Sequence, residues 1–488
     1  MSLLPFQLSR LGLINLTALL VLILLGLVAG IGGMPVLLGL LGIGILILML
    51  LLLRFKPNTA DLLLMGAFAG FWIFPLVGRF IKPGLFAYWQ FYMVGASLVG
   101  IPFFLRSLKA RNNFWMYLAL SSFAIFLLCG LMSTMYGHTT TIPAVAFQLF
   151  ADFKPFLLIV FGFGVRWDKV TEKSVWTMIN TVWFLMLVFV LWEWASPVAY
   201  YGLFTKIDFS ADPANFFPSR AVGFFEHSSM LASASANLAI LCAIRMFMNQ
   251  QFDRKSLFFL IMYLLMLVCS VQRQELLSAV ACLGLILMLI KPERVKINTL
   301  LAVSAMVVLL GTFWIVFSDN MTKEASTWGL GEGGHVEHPR AQIFAGSVLL
   351  ANKNFPLGSG LGTYGGAGAE KYNQAVYEEL GFKNYWWYGR ENYLMDMYWP
   401  NPIAEAGYIG SGFLLLAYFF LFAHAVSRAL KNNGPPRAYW LGAASSMLYM
   451  LQLSMSSPSF QDARLLFIPA LLYGWANAKE KEQADATS

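Results

Sequence analysis

Three arginines stand at the edges of long apolar stretches, where a guanidinium group can meet phosphate. Arg220 precedes one apolar stretch, Arg273 lies in a very short connection between two others, and Arg340 follows a polar loop. Several guanidinium forks fit a lipid-linked diphosphate head group, whereas a single interfacial arginine more commonly contacts lipid headgroups. Arg273 favours the functional interpretation, because a charge in so short a turn must dip toward the bilayer.

The segment from residue 385 to residue 400 carries a second type of chemistry. Its aromatic residues alternate with Arg390, Glu391 and Asp396. Aromatic rings stack on the C–H faces of sugars while carboxylates bind hydroxyl groups, so this composition is typical of a carbohydrate-binding surface. Aromatic residues such as Trp399 also occupy the interfacial belt of membrane proteins. The two roles are compatible, and both place the segment at a membrane surface.

Other polar residues carry weaker signals. Lys154 lies in an apolar stretch two residues after Asp152, either as a paired structural charge or as part of a polar cavity. The directly following Pro155 favours a break in the helix, and hence the cavity. His338 and His335, with two glutamates nearby, lack the spacing of a known zinc site, so no metal is predicted.

The segment Gly360-x-Gly362-x-x-Gly365 formally matches the dinucleotide-binding fingerprint. No strand is predicted before it, so we expect a turn-forming loop near the membrane surface rather than a cofactor site. Residues 338–350, which precede this loop, have helical character, and Pro339 stands at a suitable first helical position.

The elements that must position these residues are membrane-spanning helices. The chain of 488 residues is 58% hydrophobic and only 12% charged, which excludes a soluble globular protein. Apolar windows predict an all-α polytopic membrane protein with about 12 to 14 transmembrane helices. The windows lie near residues 12–32, 34–53, 62–80, 87–105, 113–136, 142–165, 175–196, 221–248, 257–272, 275–291, 298–317, 401–428, 438–457 and 461–476. The four cysteines all lie in such windows and indicate neither disulfides nor a metal site.

Lysine and arginine residues follow the even-numbered windows, which places both termini in the cytoplasm by the positive-inside rule. The net charge of +8 therefore describes orientation and does not indicate nucleic-acid binding. The predicted organisation has transmembrane helices over residues 1–317, an extracytoplasmic loop subdomain over 318–400, further transmembrane helices over 401–476 and a cytoplasmic tail over 477–488.

The order of four short motifs resembles the O-antigen ligase and polymerase superfamily of bacterial membrane glycosyltransferases. The motifs are Arg-x-x-Gly-Phe-Phe from Arg220, Ser-x-x-Arg ending at Arg273, a loop pattern from Arg340 to Tyr364, and Ala404-Glu-Ala-Gly-Tyr-Ile-Gly410. Each motif is weak alone, but their order around one large outer loop is fairly specific. The resemblance implies a GT-C-like fold in the bacterial inner membrane, with the large loop in the periplasm.

The resemblance also implies a reaction without metal or other cofactor, in which a glycan leaves undecaprenyl diphosphate with inversion at the anomeric carbon. The residues implied in catalysis are Asp396, Arg273, Arg220, His338 and Glu405. The residues predicted to bind substrate, from these motifs together with the aromatic segment and the intramembrane charge, are Arg340, Arg390, Glu391, Lys154, Tyr364 and Trp399. The implied partners are the lipid-linked oligosaccharide and membrane lipids, and a chain-length regulator is compatible with such an activity.

One difference from the family ligases bears on the reaction. They place a histidine some nine residues before the glutamate of the last motif, where this chain has Asp396 before Glu405. Asp396 favours a polymerase, since a carboxylate in a partly dry site can accept a proton from a sugar hydroxyl. A ligase that uses lipid A core or protein as the acceptor stays open, with His338 as a substitute base. A flippase for lipid-linked sugars is a further alternative, which the large loop and the lack of detectable repeats disfavour.

Overall fold

The computed structural model describes residues 64, 66, 67, 70, 86–110, 113–137, 140–196, 200, 221–223, 225, 227–249, 254–290, 339–389 and 393–487. Within these residues every regular element is helical. Five of the described segments are long and apolar enough to cross a membrane, namely Phe114–Tyr136, Ile142–Gly164, Thr171–Ala195, Ser228–Met246 and Tyr393–Lys431. The fold therefore agrees with an α-helical membrane protein.

The long helices follow the predicted windows closely. The helices of the described residues, long and short, are α1 Phe86–Ala110, α2 Phe114–Tyr136, α3 Ile142–Gly164, α4 Lys169–Ala195, α5 Ser228–Asn249, α6 Arg254–Cys269, α7 Arg273–Ile290, α8 Pro339–Lys353, α9 Ala367–Tyr372, α10 Ala375–Glu379, α11 Pro400–Lys431, α12 Gly434–Leu453 and α13 Ala463–Thr487. The helix expected to begin at Pro339 is confirmed. The windows near residues 12–32, 34–53 and 298–317 lie outside the described residues, so the total of about 12 to 14 spans stays a prediction.

Two expectations about helix geometry are wrong. α3 continues through Pro155 to Gly164 and is not broken there. The window that was expected to begin at residue 221 becomes helical only at Ser228, because Gly223 has a φ of +53°, which a right-handed helix does not accommodate.

The chain forms two compact units. The first comprises Met1–Ala96, Val165–Ser219 and Gly223–Glu226, and the second comprises Ser97–Gly164, Arg220–Val222 and His227–Ser488. In the first unit, the rings of Trp183 and Phe225 lie 6.4 Å apart and both are fully buried. Glu193 is also fully buried there, and its Oε2 accepts a hydrogen bond from the N–H of Gly223 at 3.0 Å.

The second unit is organised around α11, which packs against α2, α12 and α8. α13 packs against α3 and α12, while α5 packs against α6, α7 and α12. Small residues permit close helix contacts, since a β-carbon placed on Gly474 would lie 2.0 Å from the carbonyl group of Gly162. Such contacts are typical of helices that associate within membranes.

Side chains from three helices and from the residue before α2 meet at one end of the second unit. Arg428 at the end of α11 forms an ion pair of 3.2 Å with Glu480 of α13, and it also donates to Asn113 Oδ1 before α2. Ser107 of α1 donates to Asn477 at 3.1 Å. These contacts join segments that the positive-inside rule assigns to the cytoplasm. That assignment stays a prediction, but the segments do lie at a common end.

Candidate functional site

The other end of these helices holds the segments that carry the motifs. The N–H of Gly358 donates to Ser133 Oγ at 2.9 Å near the end of α2, and Thr140 Oγ1 donates to the carbonyl of Leu361 at 3.1 Å. The glycine-rich segment 355–366 follows α8 rather than a strand, which confirms that it is a turn-forming loop. We call residues 355–366 the glycine loop.

Glu405 holds the glycine loop by its backbone. Its Oε1 accepts hydrogen bonds from the N–H groups of Thr363 at 2.9 Å and Tyr364 at 3.0 Å. The main chain adds to this attachment, because the N–H of Ser359 donates to the carbonyl of Ala404 at 2.7 Å. The Glu405 side chain is buried. Two backbone donors on one side-chain oxygen, together with the main-chain hydrogen bond, fix the loop against the first turns of α11.

Glycine permits this contact on both sides. A β-carbon on Gly358 would lie 2.4 Å from the carbonyl group of Glu405, and one on Gly407 would lie 2.5 Å from the carbonyl oxygen of Leu357. Gly407 interrupts α11 with a φ of 71° and a ψ of −178°. This conformation is essentially restricted to glycine. The third and fourth motifs are therefore two halves of one backbone contact.

Three buried amide side chains connect the glycine loop to α3 and to the segment before α13. Asn401 Oδ1 accepts from Gln148 Nε2 at 2.9 Å and from Gln461 Nε2 at 3.0 Å. Asn401 Nδ2 donates to the carbonyl of Tyr364 at 2.7 Å. The three side chains are buried, and a buried polar group that loses its partner is costly. The network therefore specifies how the loop is seated, and we call these three residues the amide triad.

Two charged residues of α3 adjoin the amide triad. Asp152 Oδ1 accepts a second hydrogen bond from Gln148 Nε2 at 2.9 Å, and Lys154 Nζ donates to the carbonyl of Gln461 at 2.5 Å. Both charged side chains are buried. The next residue, Asp462, binds the guanidinium group of Arg464 with both carboxylate oxygens. The polar-cavity interpretation of Lys154 stays a prediction, and its observed role is to hold the segment before α13.

Arg340 and Asp396 form an ion pair at the start of α8. Arg340 Nε donates to Asp396 Oδ2. The two side chains are 28% and 33% exposed, so the pair lies at the surface of the protein and is not enclosed. A short 3₁₀ helix, Tyr393–Met395, places the aspartate, whose N–H donates to the carbonyl of Tyr393 at 3.1 Å. The structure thus joins two of the residues that the sequence singles out.

A hydrophobic core, which we call the loop core, lies within residues 343–404. Its buried members are Ile343, Leu350, Tyr364, Ala369, Val376, Tyr377, Phe382, Trp387, Leu394 and Ala404. The Tyr364 hydroxyl donates to the carbonyl of Ile343 at 2.8 Å, and burial raises the pKa of that hydroxyl well above its usual range. Tyr364 is therefore a protonated donor that shapes the loop from within.

The aromatic segment is divided by burial. Trp387 is 1% exposed and stacks on Tyr385 with ring centroids 5.6 Å apart, whereas Trp386 is 58% exposed. The ring of Trp386 meets the edge of Tyr393, three residues before Asp396, at a centroid distance of 6.3 Å. Trp399 is half-buried, and its Nε1 donates to Ser454 Oγ at 2.9 Å. Part of the aromatic segment is therefore core, and Trp386 faces outward.

A backbone hydrogen bond joins the motif that begins at Arg220 to the segment that leads into Arg273. The N–H of Ala221, the residue after Arg220, donates to the carbonyl of Cys269 at 3.2 Å. The turn from Cys269 to the start of α7 at Arg273 contains Val271 with a φ of 53°, which is rare for a β-branched residue. At the same turn, Gln272 Nε2 donates to Ser228 Oγ at 2.6 Å.

Several predicted residues lie outside the described part of the chain. These are Arg220, His335, His338, Arg390 and Glu391, and for Arg273 only the backbone is described. The four cysteines are free thiols, as expected.

Sequence reasoning missed the residues that seat the glycine loop. Gln148, Asn401 and Gln461 are single amides in apolar surroundings, and Arg464 was counted within an apolar window. A polar residue in an apolar stretch is a signal of function, so the positions themselves can be predicted from the sequence. The contacts between them cannot, because residues 148 and 401 are far apart in the chain and meet only in the folded protein.

No protein-family model matches this chain, and no curated protein matches its sequence. Function is therefore inferred from the residues of the site and from the order of the motifs.

Proposed function

We propose that the protein is a polysaccharide polymerase of the bacterial inner membrane. It would transfer a glycan from undecaprenyl diphosphate to the acceptor sugar of another lipid-linked repeat unit. The observation that carries this proposal is the ion pair between Arg340 and Asp396. It places a residue suited to phosphate beside a residue suited to proton transfer, at the edge of a helical membrane domain.

The proposed reaction is a single displacement. A hydroxyl oxygen of the acceptor sugar forms a bond to the anomeric carbon of the donor, and the bond from that carbon to the diphosphate oxygen breaks. The electron pair leaves with undecaprenyl diphosphate, while Asp396 takes the hydroxyl proton. Arg340, with Arg220 and Arg273, stabilises the charge that grows on the diphosphate. Inversion at the anomeric carbon follows from attack opposite the leaving group.

The joined backbones of two motifs support this arrangement. The hydrogen bond from Ala221 to Cys269 brings the chain next to Arg220 close to the turn that leads into Arg273. The Gln274 side chain at the start of α7 donates to the carbonyl of Gln452 at 3.1 Å, close in the chain to Ser454, which accepts from Trp399. The proposal includes about 12 to 14 transmembrane helices, cytoplasmic termini, and a periplasmic loop subdomain of GT-C-like character.

The direct test is an assay of purified protein in lipid vesicles with an undecaprenyl-diphosphate-linked repeat unit as sole substrate. Longer lipid-linked glycans would support a polymerase. Turnover that begins only when lipid A core or an acceptor protein is added would support a ligase instead. An absence of turnover in both assays, with transfer of the labelled lipid-linked sugar across the bilayer, would support a flippase.

A matched pair of variants tests the role of Arg273. Arg273→Lys keeps the charge but removes the bidentate fork, so we expect turnover to fall by about tenfold or more. Arg254→Lys is the control, since Arg254 is exposed at the start of α6, the end remote from Arg273 in the α6–α7 hairpin. Equal activities of the two variants would contradict the proposal that Arg273 binds the diphosphate.

A further inference from the structure

We propose that Asp396 occupies the place of the donor's diphosphate on Arg340, so that donor binding itself releases the base. This inference rests on the proposed function. In the structure the carboxylate of Asp396 is held by Arg340 Nε. This hydrogen bond occupies Asp396 Oδ2 and so keeps it from an acceptor hydroxyl, and a guanidinium group held by a carboxylate is a weaker phosphate ligand. The two catalytic groups thus mask each other until the donor arrives.

The location of the pair supports exchange of one anion for another. Arg340 is the second residue of α8, a helix of 15 residues, and the first turn of a helix carries partial positive charge. A guanidinium group at this end is unfavourable by itself, and the carboxylate of Asp396 relieves the repulsion. A diphosphate carries more negative charge than one carboxylate and accepts a guanidinium fork in the same way. It would therefore displace Asp396 from Arg340.

The pair is also accessible enough to open. Its side chains are 28% and 33% exposed, in contrast with the ion pair of Arg464 and Asp462, whose side chains are both 15% exposed. Asp396 follows a short 3₁₀ helix rather than lying within a long one, so its side chain can turn away without moving α8 or α11. Release would make the carboxylate available to take the proton of an acceptor hydroxyl. The order of events is donor binding, release of Asp396, and then proton transfer.

The test measures the affinity of undecaprenyl diphosphate for the full-length protein in lipid nanodiscs. Asp396→Asn removes the competing charge, so we expect its dissociation constant to fall by about fivefold while turnover is lost. Glu379→Gln is the matched control, because it breaks the ion pair of 2.8 Å between Lys353 and Glu379 at the other end of α8. It should leave the affinity unchanged. The same change at Asp396 in an Arg340→Gln background should have no effect on affinity.

The outcomes separate the two proposals. Failure of the natural protein to bind undecaprenyl diphosphate would contradict the proposed function. Binding by the natural protein, with equal or weaker binding by Asp396→Asn, would overturn the exchange and leave the polymerase proposal standing.

A measurement without variants covers the case in which Asp396→Asn does not fold. Solid-state NMR with ¹⁵N-labelled arginine and ¹³C-labelled aspartate detects contacts between Nε and the carboxylate. Adding undecaprenyl diphosphate should remove the contact of Arg340 with Asp396. The contact of Arg464 with Asp462, in which Arg464 Nε lies 3.0 Å from Asp462 Oδ1, should stay. Persistence of both contacts at saturating ligand would overturn the inference.

Discussion

A β-carbon placed on Gly407 would lie 2.5 Å from the carbonyl oxygen of Leu357. The break in α11 and the glycine loop are therefore in direct backbone contact. Because Glu405 holds the same loop through two backbone N–H groups, the contact fixes the segment between α8 and α11. The ion pair of Arg340 and Asp396 lies across these two helices, from the start of α8 to the residues before α11.

Substitution at Gly407 should disrupt this contact. Gly407→Ala strains the backbone, because residue 407 has a conformation that only glycine adopts readily, and it places a β-carbon against the carbonyl oxygen of Leu357. We therefore expect the unfolding free energy to fall by about 2 kcal/mol or more. Gly412→Ala is the control in the same helix, where an added β-carbon meets no atom within 4 Å. It should be neutral or stabilising by up to about 1 kcal/mol. Thermal unfolding in detergent compares the two, and equal midpoints would contradict the prediction.

Glu405 should behave as an anchor of the loop rather than as the base. Glu405→Gln keeps an acceptor at Oε1 for Thr363 and Tyr364, so we expect folded protein and turnover within about tenfold of the natural protein. Glu405→Ala leaves both donors without this acceptor and should lower both the unfolding midpoint and the turnover. Asp396→Asn provides the comparison, with an expected loss of about 100-fold or more in turnover. A fully folded but inactive Glu405→Gln would instead identify Glu405 as the base.

The amide triad should show strong energetic coupling. Asn401→Leu removes the acceptor of Gln461 Nε2 and one of the two acceptors of Gln148 Nε2, the other being Asp152 Oδ1, and a buried donor that loses its acceptor costs about 1 to 3 kcal/mol. Gln461→Leu in addition removes one of these donors, so the double variant should be less destabilised than the sum of the two single variants. Chemical unfolding of the four proteins measures this coupling, expected at about 0.5 to 3 kcal/mol. Additive losses would show that the hydrogen bonds do not act together.

Substitutions at Trp386 and Trp387 should have different effects, the first on glycan binding and the second on stability. Trp387 is enclosed in the loop core, so Trp387→Ala should destabilise the protein by about 3 to 5 kcal/mol. Trp386 is largely exposed, so Trp386→Ala should keep the unfolding midpoint while weakening glycan binding, as expected of a ring that stacks on sugar. Titration with the released soluble repeat unit, followed by tryptophan fluorescence, compares the variants. Unchanged binding by Trp386→Ala, together with quenching of Trp386 by brominated lipid, would assign it to the membrane interface.

Much of the helical architecture could be read from hydrophobicity. The windows near residues 113–136 and 142–165 correspond to α2 and α3 within one residue at each end, because a membrane-spanning helix must satisfy its backbone internally and present apolar side chains. The start of α8 at Pro339 could also be predicted from the sequence, since proline is preorganised for the first turn of a helix. The start of α5 at Ser228 could not, because it depends on the backbone conformation of Gly223, five residues earlier.

The site divides in the same way. The sequence by itself indicated a helical membrane protein and singled out Arg340, because charge is costly near a bilayer and stands out among apolar residues. The resemblance of its motifs singled out Asp396 and Glu405. Only the tertiary structure decided their relationships: Asp396 pairs with Arg340 across 56 residues, and Glu405 binds backbone N–H groups 41 and 42 residues away. Residue type and the apolar character of the neighbouring sequence show where a polar group is energetically costly. Its partner depends on long-range packing of helices, which no local pattern encodes.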